Sequence, residues 1–169
     1  MKKVLIVSAT KNSNYKLAFD IEKLLIDLDT PSKVISLEDF NLPLYTQVSY
    51  DVNKLKYLET VKSLTKNFID STAIIICAPE YNGSIPPILT NSISWISVST
   101  DYWKDAFKNK TAFIATSSGG PGTKFTVAMK MQLEHLGANV PLQALSVNSS
   151  FPLKKDSTKK ILKQFINLI

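Results

Sequence analysis

Apolar positions along this chain follow two alternating rhythms. Short runs rich in β-branched residues, such as Val4 to Val7 and Ala73 to Ala78, are separated by longer stretches in which apolar residues recur every three or four positions. The first kind predicts strands buried on both faces, the second helices with one apolar stripe. On this basis Lys3 to Val7 is a first strand, and Asn14 to Leu28 is a helix, ended by Pro31, that turns Leu17, Ile21, Leu24, Leu25 and Leu28 inward. Val34 to Leu37 makes a second strand. After a polar loop containing Leu42-Pro43-Leu44-Tyr45, Asn53 to Asp70 reads as one helix with Leu55, Leu58, Val61, Leu64 and Phe68 inside. The third strand, Ala73 to Ala78, precedes a helix from Pro87 to about Ser97. A fourth strand spans Thr111 to Ala115, and a helix from Phe125 to Leu136 stops at Gly137, a residue type common just past helix ends. A fifth strand at Val140 to Leu145 and a helix from Ser157 to Leu168, burying Ile161, Leu162, Phe165 and Ile166, complete the pattern.

Strands alternating with helices predict a parallel sheet covered on both faces, because right-handed crossovers place the helices there. Five strands in 169 residues predict a three-layer α/β sandwich of strand order 2-1-3-4-5, with residues 1–169 forming one domain.

Charge adds one constraint. The net charge is +6, and all twenty basic residues are lysines. They are scattered, which argues for a solvated surface rather than a nucleic-acid face, while the positive field favours anionic ligands. The single cysteine, Cys77, lies inside an isoleucine run and reads as a buried core thiol. The apolar run after Met1-Lys2-Lys3 is too short for a signal peptide, and no segment has transmembrane length, so a cytoplasmic protein without a membrane partner is expected. His135 is the sole histidine and has no carboxylate or cysteine cluster near it in sequence. No metal-ligand spacing and no Ser-His-Asp arrangement stands out, so no catalytic side chain and no metal site is assigned.

In the predicted strand order, the loops after strands one, three and four lie together at one sheet edge, where ligands bind in open α/β folds. The first loop offers Ser8, Thr10, Lys11, Asn12, Ser13 and Asn14: hydroxyls, amides, one cation and a helix start. That combination holds a phosphate, and it also describes an ordinary capped strand-to-helix turn. The third loop, Pro79, Glu80, Tyr81, Asn82, Gly83 and Ser84, presents flat and polar groups on a turn that glycine lets approach a ligand closely. The fourth, containing Ser117, Ser118, Gly119 and Gly120, is either a glycine-rich edge for a flat ring or a flexible connection; it lacks the Gly-Lys-Ser/Thr order of a nucleotide triphosphate loop. A phosphate-type loop, a planar platform and no acid, base or nucleophile together suggest that a cofactor supplies the chemistry. Flavin mononucleotide (FMN) has the matching parts.

The run Pro79-Glu80-Tyr81-Asn82-Gly83-Ser84-Ile85-Pro86, continuing through Leu89, Asn91, Ile93 and Trp95, closely resembles the NADPH-dependent FMN reductase family of flavodoxin-like proteins. Similarity extends from Val4-Leu5-Ile6-Val7-Ser8 through Leu42-Pro43-Leu44-Tyr45 to Leu133, Leu136, Gly137 and Ala138. The resemblance implies phosphate binding by Ser8, Thr10, Ser13 and Asn14, and a ribityl and ring site framed by Pro79 to Ser84 and Ser117 to Gly120. It implies an FMN-dependent oxidoreductase that takes hydride from NADPH or NADH and passes it, by a ping-pong mechanism, to a small-molecule acceptor such as a quinone, azo compound or free flavin. It also implies a homodimer or homotetramer, in which Tyr102 and Trp103 are either interface anchors or covered by a loop of their own chain. The family's first loop usually carries an arginine, where this chain has Lys11 in a shortened loop; Thr90 and Ser94 also depart from the usual lysine and aspartate. A flavodoxin-like electron carrier and a flavin-free interaction module are the rival expectations.

Overall fold

Alternation along the strands feeds two separate cores. Val4, Ile6, Ala73, Ile75, Cys77, Phe113 and Ala115 face one side of a sheet, and Leu5, Val7, Ile74, Ile76, Ala112 and Ile114 face the other. A strand apolar on both faces must be covered twice, and burial of each Ile or Leu is worth about 1.5–3 kcal/mol. The computed structural model describes residues 2–169. Its strands are β1 (Val4–Ser8), β2 (Ser32–Ser36), β3 (Ala73–Cys77), β4 (Thr111–Ser117) and β5 (Leu145–Val147). Its helices are α1 (Ser13–Ile26), α2 (Gln47–Asn53), α3 (Leu58–Ile69), α4 (Pro87–Ser97), α5 (Thr123–His135) and α6 (Lys155–Ile166), with one 3-10 turn at Leu37–Asp39. All strand pairs are parallel and the order is β2-β1-β3-β4-β5. Leu17, Ile21 and Leu25 of α1 and Leu162 and Phe165 of α6 cover one face; Leu64 and Phe68 of α3, Leu89 and Ile93 of α4, and Phe125 and Met129 of α5 cover the other. This is the flavodoxin-like three-layer arrangement that the sequence pattern predicts.

Most element ends lie within two residues of expectation, and three differences have a clear local reason. Asn53 to Asp70 is not one helix: α2 starts at Gln47, where Thr46 Oγ1 accepts from the Ser49 N–H at 3.0 Å, and the chain redirects at residues 54–57 before α3. No residue of α2 is buried, and Leu55, expected inside, is 80% exposed. The direction of α2 is set by an aromatic cluster in which Tyr50 lies 6.2 Å from Tyr45 and 5.8 Å from Trp95, whereas α3 is aimed by its apolar stripe. The fifth strand is Leu145–Val147 instead of Val140 to Leu145. Asn139 does touch the sheet edge, bridging Thr111, but Pro141 removes a donor, the chain leaves the ladder with Leu142 96% exposed, and pairing resumes at Leu145. Finally, β4 runs through Ser117, two residues further than expected, because β5 supplies partners for Thr116 and Ser117.

No helix among the described residues is long and apolar enough to cross a membrane. Burial pushes the Cys77 thiol well above its ordinary pKa, which keeps it protonated in the core. Tyr102 and Trp103 are partly exposed and stack on each other at 5.9 Å, and the Trp103 ring also lies 5.2 Å from His135.

Candidate functional site

Parallel pairing brings the carboxyl ends of β1, β3, β4 and β5 into one row, and a cleft of about 590 Å³ opens above them. That volume lies within the range of ~300–1,000 Å³ typical of small-molecule and cofactor sites. Asn12 and Ser13, Pro79 to Tyr81, and Ser117 to Gly119 line it together. Thus the three loops singled out by sequence converge. Ser8, Thr10, Lys11, Asn14, Asn82, Gly83, Ser84 and Gly120 do not line the cleft itself; they belong to the strand ends and loops that border it.

The segment after β3 is a hairpin turn closed on itself. Tyr81 N–H donates to Ser84 O at 3.1 Å and Ser84 N–H to Tyr81 O at 2.9 Å, with Asn82 and Gly83 at φ of 51° and 70° between them. Two successive positive φ values are the signature of a primed turn, for which Asn-Gly is the preferred pair. A Cβ on Gly83 would meet only the flexible end of Lys124, with Cδ at 3.1 Å, so glycine is required there by backbone conformation rather than by space. The turn is fixed to its neighbour by Glu80. Its N–H donates to Ser118 Oγ at 2.8 Å, and its Oε2 accepts from the Lys124 and Phe125 N–H groups at 2.9 and 3.1 Å, satisfying orphan amides at the start of α5. Glu80 therefore joins two loops and caps a helix. Tyr81, 42% exposed, lines the cleft, and its hydroxyl accepts from Asn12 Nδ2 at 3.5 Å.

In the glycine-rich loop the glycines are not equivalent. Gly119 and Gly120 have open space where a Cβ would sit and no positive φ. Gly122 is the demanding one: at φ 65° its Cβ would come within 2.7 Å of Thr116 Cγ2. Ser117 is the last residue of β4, and its backbone is clasped by buried Asn14, whose Nδ2 donates to Ser117 O while its Oδ1 accepts from Ser117 N–H, both at 2.8 Å.

In the loop after β1, Ser8 is buried and its Oγ donates to Thr10 O at 2.8 Å. Asn12 caps α1, its Oδ1 accepting from the Asn14 N–H at 3.1 Å. Lys11 is engaged on both sides: its ammonium is paired with Asp39, which raises its pKa, and its amide donates to Glu38 Oε2 at 2.6 Å. What stays open is Thr10 Oγ1, buried with no hydrogen-bond partner, together with Ser13 at the start of α1. A buried hydroxyl without a partner costs free energy unless a ligand completes it, and a helix N-terminus favours an anion. These two features fit a phosphate group. Among the described residues no cluster of His, Cys, Asp or Glu is placed to hold a metal ion.

Sequence reasoning missed the fourth wall, the loop after β5, where Val147, Asn148, Ser149 and Leu153 line the cleft opposite Lys16 and Asp20 of α1. Its signal was the position of β5, which Pro141 displaced.

The sheet order and the ligand cleft at its carboxyl edge define a flavodoxin-like α/β protein. Within that class the chain belongs to the NADPH-dependent FMN reductase family, whose sequence model it matches over residues 1–152. It is 31% identical over 105 residues to an uncharacterized protein of Mycoplasma pneumoniae, covering 62% of this chain and 58% of that one. It is 34% identical over 83 residues to a 2-hydroxy-1,4-benzoquinone reductase of a Burkholderia species, covering 48% of this chain and 42% of that enzyme. The matches thus span about half the length of these curated relatives. Among solved structures, the flavoenzyme NAD(P)H:(acceptor) oxidoreductase FerB of Paracoccus denitrificans superposes with a TM-score of 0.78 at 20% identity, over 99% of this chain and 97% of that one. An FMN-dependent NADH-azoreductase of Bacillus anthracis, solved with FMN, gives 0.67 at 15% identity over 99% and 96%. At these identities the structures establish the shared fold.

Proposed function

We propose that this protein is an FMN-dependent NAD(P)H oxidoreductase that passes reducing equivalents from NADPH or NADH to a quinone, azo compound, free flavin or similar small acceptor. The observation that carries the reading is the cleft itself: a rigid Asn-Gly hairpin, locked through Glu80 to the neighbouring loop, beside an unpartnered Thr10 hydroxyl at a helix start. Family membership supports it. Bound FMN would supply the two-electron chemistry that the side chains lack.

The chain's own residues then have defined tasks. Thr10 and Ser13 would hold the phosphate. Tyr81 and the backbone from Pro79 to Ser84 would hold the ring, and Ser118 and Gly119 its opposite edge. Asn14 keeps the first and fourth loops at fixed separation by clasping Ser117, and Glu80 does the same for the third and fourth. Such pre-organisation lowers the ordering cost of binding. Donor and acceptor would share one open face in turn, which gives ping-pong kinetics. A homodimer or homotetramer is part of the same proposal, with Tyr102 and Trp103 available as aromatic anchors.

Purified protein supplied with FMN, NADPH or NADH, and a benzoquinone tests the reading. The expected result is flavin-dependent nicotinamide oxidation with parallel double-reciprocal lines. FMN binding without any nicotinamide oxidation would make the protein an electron carrier instead.

A further inference from the structure

The loop after β1 presents two opposed tendencies. The start of the 14-residue helix α1 and the buried, unpartnered Thr10 Oγ1 invite an anion. Yet two carboxylates already stand against the same loop. β1 and β2 are adjacent and parallel with Ser8 opposite Ser36, so the 3-10 turn that follows β2 at Leu37–Asp39 is level with the residues that follow β1. From there Glu38 Oε2 accepts the Lys11 N–H at 2.6 Å, and Asp39 pairs with the Lys11 ammonium. The one cation of the loop is neutralised, one backbone donor is engaged, and a negative charge remains. Ser8 Oγ and the Asn14 side chain are engaged as well.

We propose that Glu38 is a specificity-determining residue that weakens the hold of this site on the phosphate of FMN, by engaging the Lys11 amide and by placing a carboxylate where the phosphate dianion approaches. The proposal rests on the cleft being the flavin site. Its consequence is a division of labour in which the ring platform provides most of the affinity and the phosphate loop only modest discrimination. An arginine at this position would stand beside Glu38 and Asp39, and its planar fork would pair with these carboxylates before it met a ligand.

A role for Glu38 in merely shaping the loop makes different predictions. Glu38→Gln keeps an amide oxygen that can still accept the Lys11 N–H, so a shaping role leaves flavin binding unchanged. A charge role tightens FMN and leaves riboflavin, which has no phosphate, alone. Glu38 is exposed, so the substitution does not endanger the fold.

The experiment is titration of FMN and of riboflavin, followed by flavin fluorescence, into wild type, Glu38→Gln and Asp39→Asn at low and at high salt. Removing a unit charge a few ångströms from a dianion in a solvated loop is expected to tighten FMN by about tenfold at low salt, with a smaller gain at high salt. Riboflavin affinity is expected to stay within about twofold, and Asp39→Asn, which frees the Lys11 ammonium, should also tighten FMN, by about threefold. In Glu38→Gln, inorganic phosphate should displace FMN at lower concentration than in wild type. Unchanged or weaker FMN binding in Glu38→Gln, or an equal gain for riboflavin, overturns the role of Glu38 while leaving the flavin site standing. Failure of every variant to bind either flavin overturns both.

Discussion

Residues 79–84 and residues 8–14 follow adjacent strands of one sheet and border one cleft, but they are stabilised in opposite ways. The first is a hairpin whose two cross-turn hydrogen bonds and two positive-φ residues fix its shape, and Glu80 ties that shape to the start of α5. The second is held largely by side chains reaching in from elsewhere: Asn14 on Ser117, Glu38 on the Lys11 amide, Asp39 on the Lys11 ammonium. A preformed platform suits a rigid ring, whose shape never changes. A loop whose charged groups are mutually engaged suits a phosphate that is bound only moderately.

The comparison breaks most severely at Asn14, which clasps the end of the second region to Ser117 at the end of β4. Asn14→Ala removes both hydrogen bonds to Ser117 and leaves its N–H and C=O unpaired in a part-buried setting. A loss of about 2–3 kcal/mol is expected, or about 5–10 °C in Tm for a domain of this size, read by thermal unfolding. A shift within about 1 °C would show that the clasp contributes nothing.

Gly83→Val attacks the platform alone. A β-branched residue at φ 70° costs about 1–3 kcal/mol, which the isolated turn can avoid by flipping. FMN should weaken by about tenfold or more, with the apo protein losing little stability because Gly83 lies outside the core. Titration calorimetry with FMN, alongside thermal unfolding, checks both halves.

These two substitutions also mark what sequence could and could not reveal. Asn82-Gly83 announces its own conformation, because few other pairs tolerate two positive φ values, and the β-branched runs announce buried strands for the same local reason. Alternation and handedness imply a parallel sheet covered on both faces, and the count of five strands at this length selects the order 2-1-3-4-5. Glu80, by contrast, reads from sequence as part of a ring surface, since nothing in PEYNGS says that its carboxylate caps a helix starting more than forty residues later. Lys11 reads from sequence as a phosphate cation, because its partners, Glu38 and Asp39, reach it only through β1–β2 pairing. Pro141 was visible, but its consequence, a strand edge touched at Asn139 and resumed at Leu145, depended on where β4 ended. Local conformation was legible; the partners of charged side chains were not.

Lys11→Ala should have a smaller effect than either substitution above. Because Asp39 already neutralises the ammonium, FMN affinity is expected to change by less than about threefold, and turnover at saturating FMN to stay at the wild-type rate. A tenfold loss, measured by the same titration, would mean that Lys11 leaves Asp39 for the ligand.

Smallest is the acid limb of stability. Lys159, Lys66 and Lys108 hold the carboxyls of Asp27, Asp70 and Asp105 below their ordinary value of 3.8, chiefly through direct hydrogen bonds. A carboxylate whose pKa is lower when folded stabilises the protein above its unfolded value, and that contribution disappears as pH falls through the folded one. Tm should therefore be insensitive to these pairs between neutrality and pH ~5 and decline below pH ~4. Asp27→Asn, which breaks the tie between α1 and α6, should flatten that decline slightly, and an unchanged acid limb would remove this pair from the account.

The central claim is that a flavin binds across both regions at once, its ring on residues 79–84 and its phosphate at the start of α1. Calorimetric titration of wild-type protein with FMN and with riboflavin tests it directly. The account predicts that both bind and that FMN binds tighter, by about threefold to thirtyfold, since charge-assisted hydrogen bonds are made in a loop that already carries Glu38. Equal affinities would contradict a net contribution of the phosphate and the first loop to binding, and a protein that binds neither flavin would contradict the assignment of the cleft.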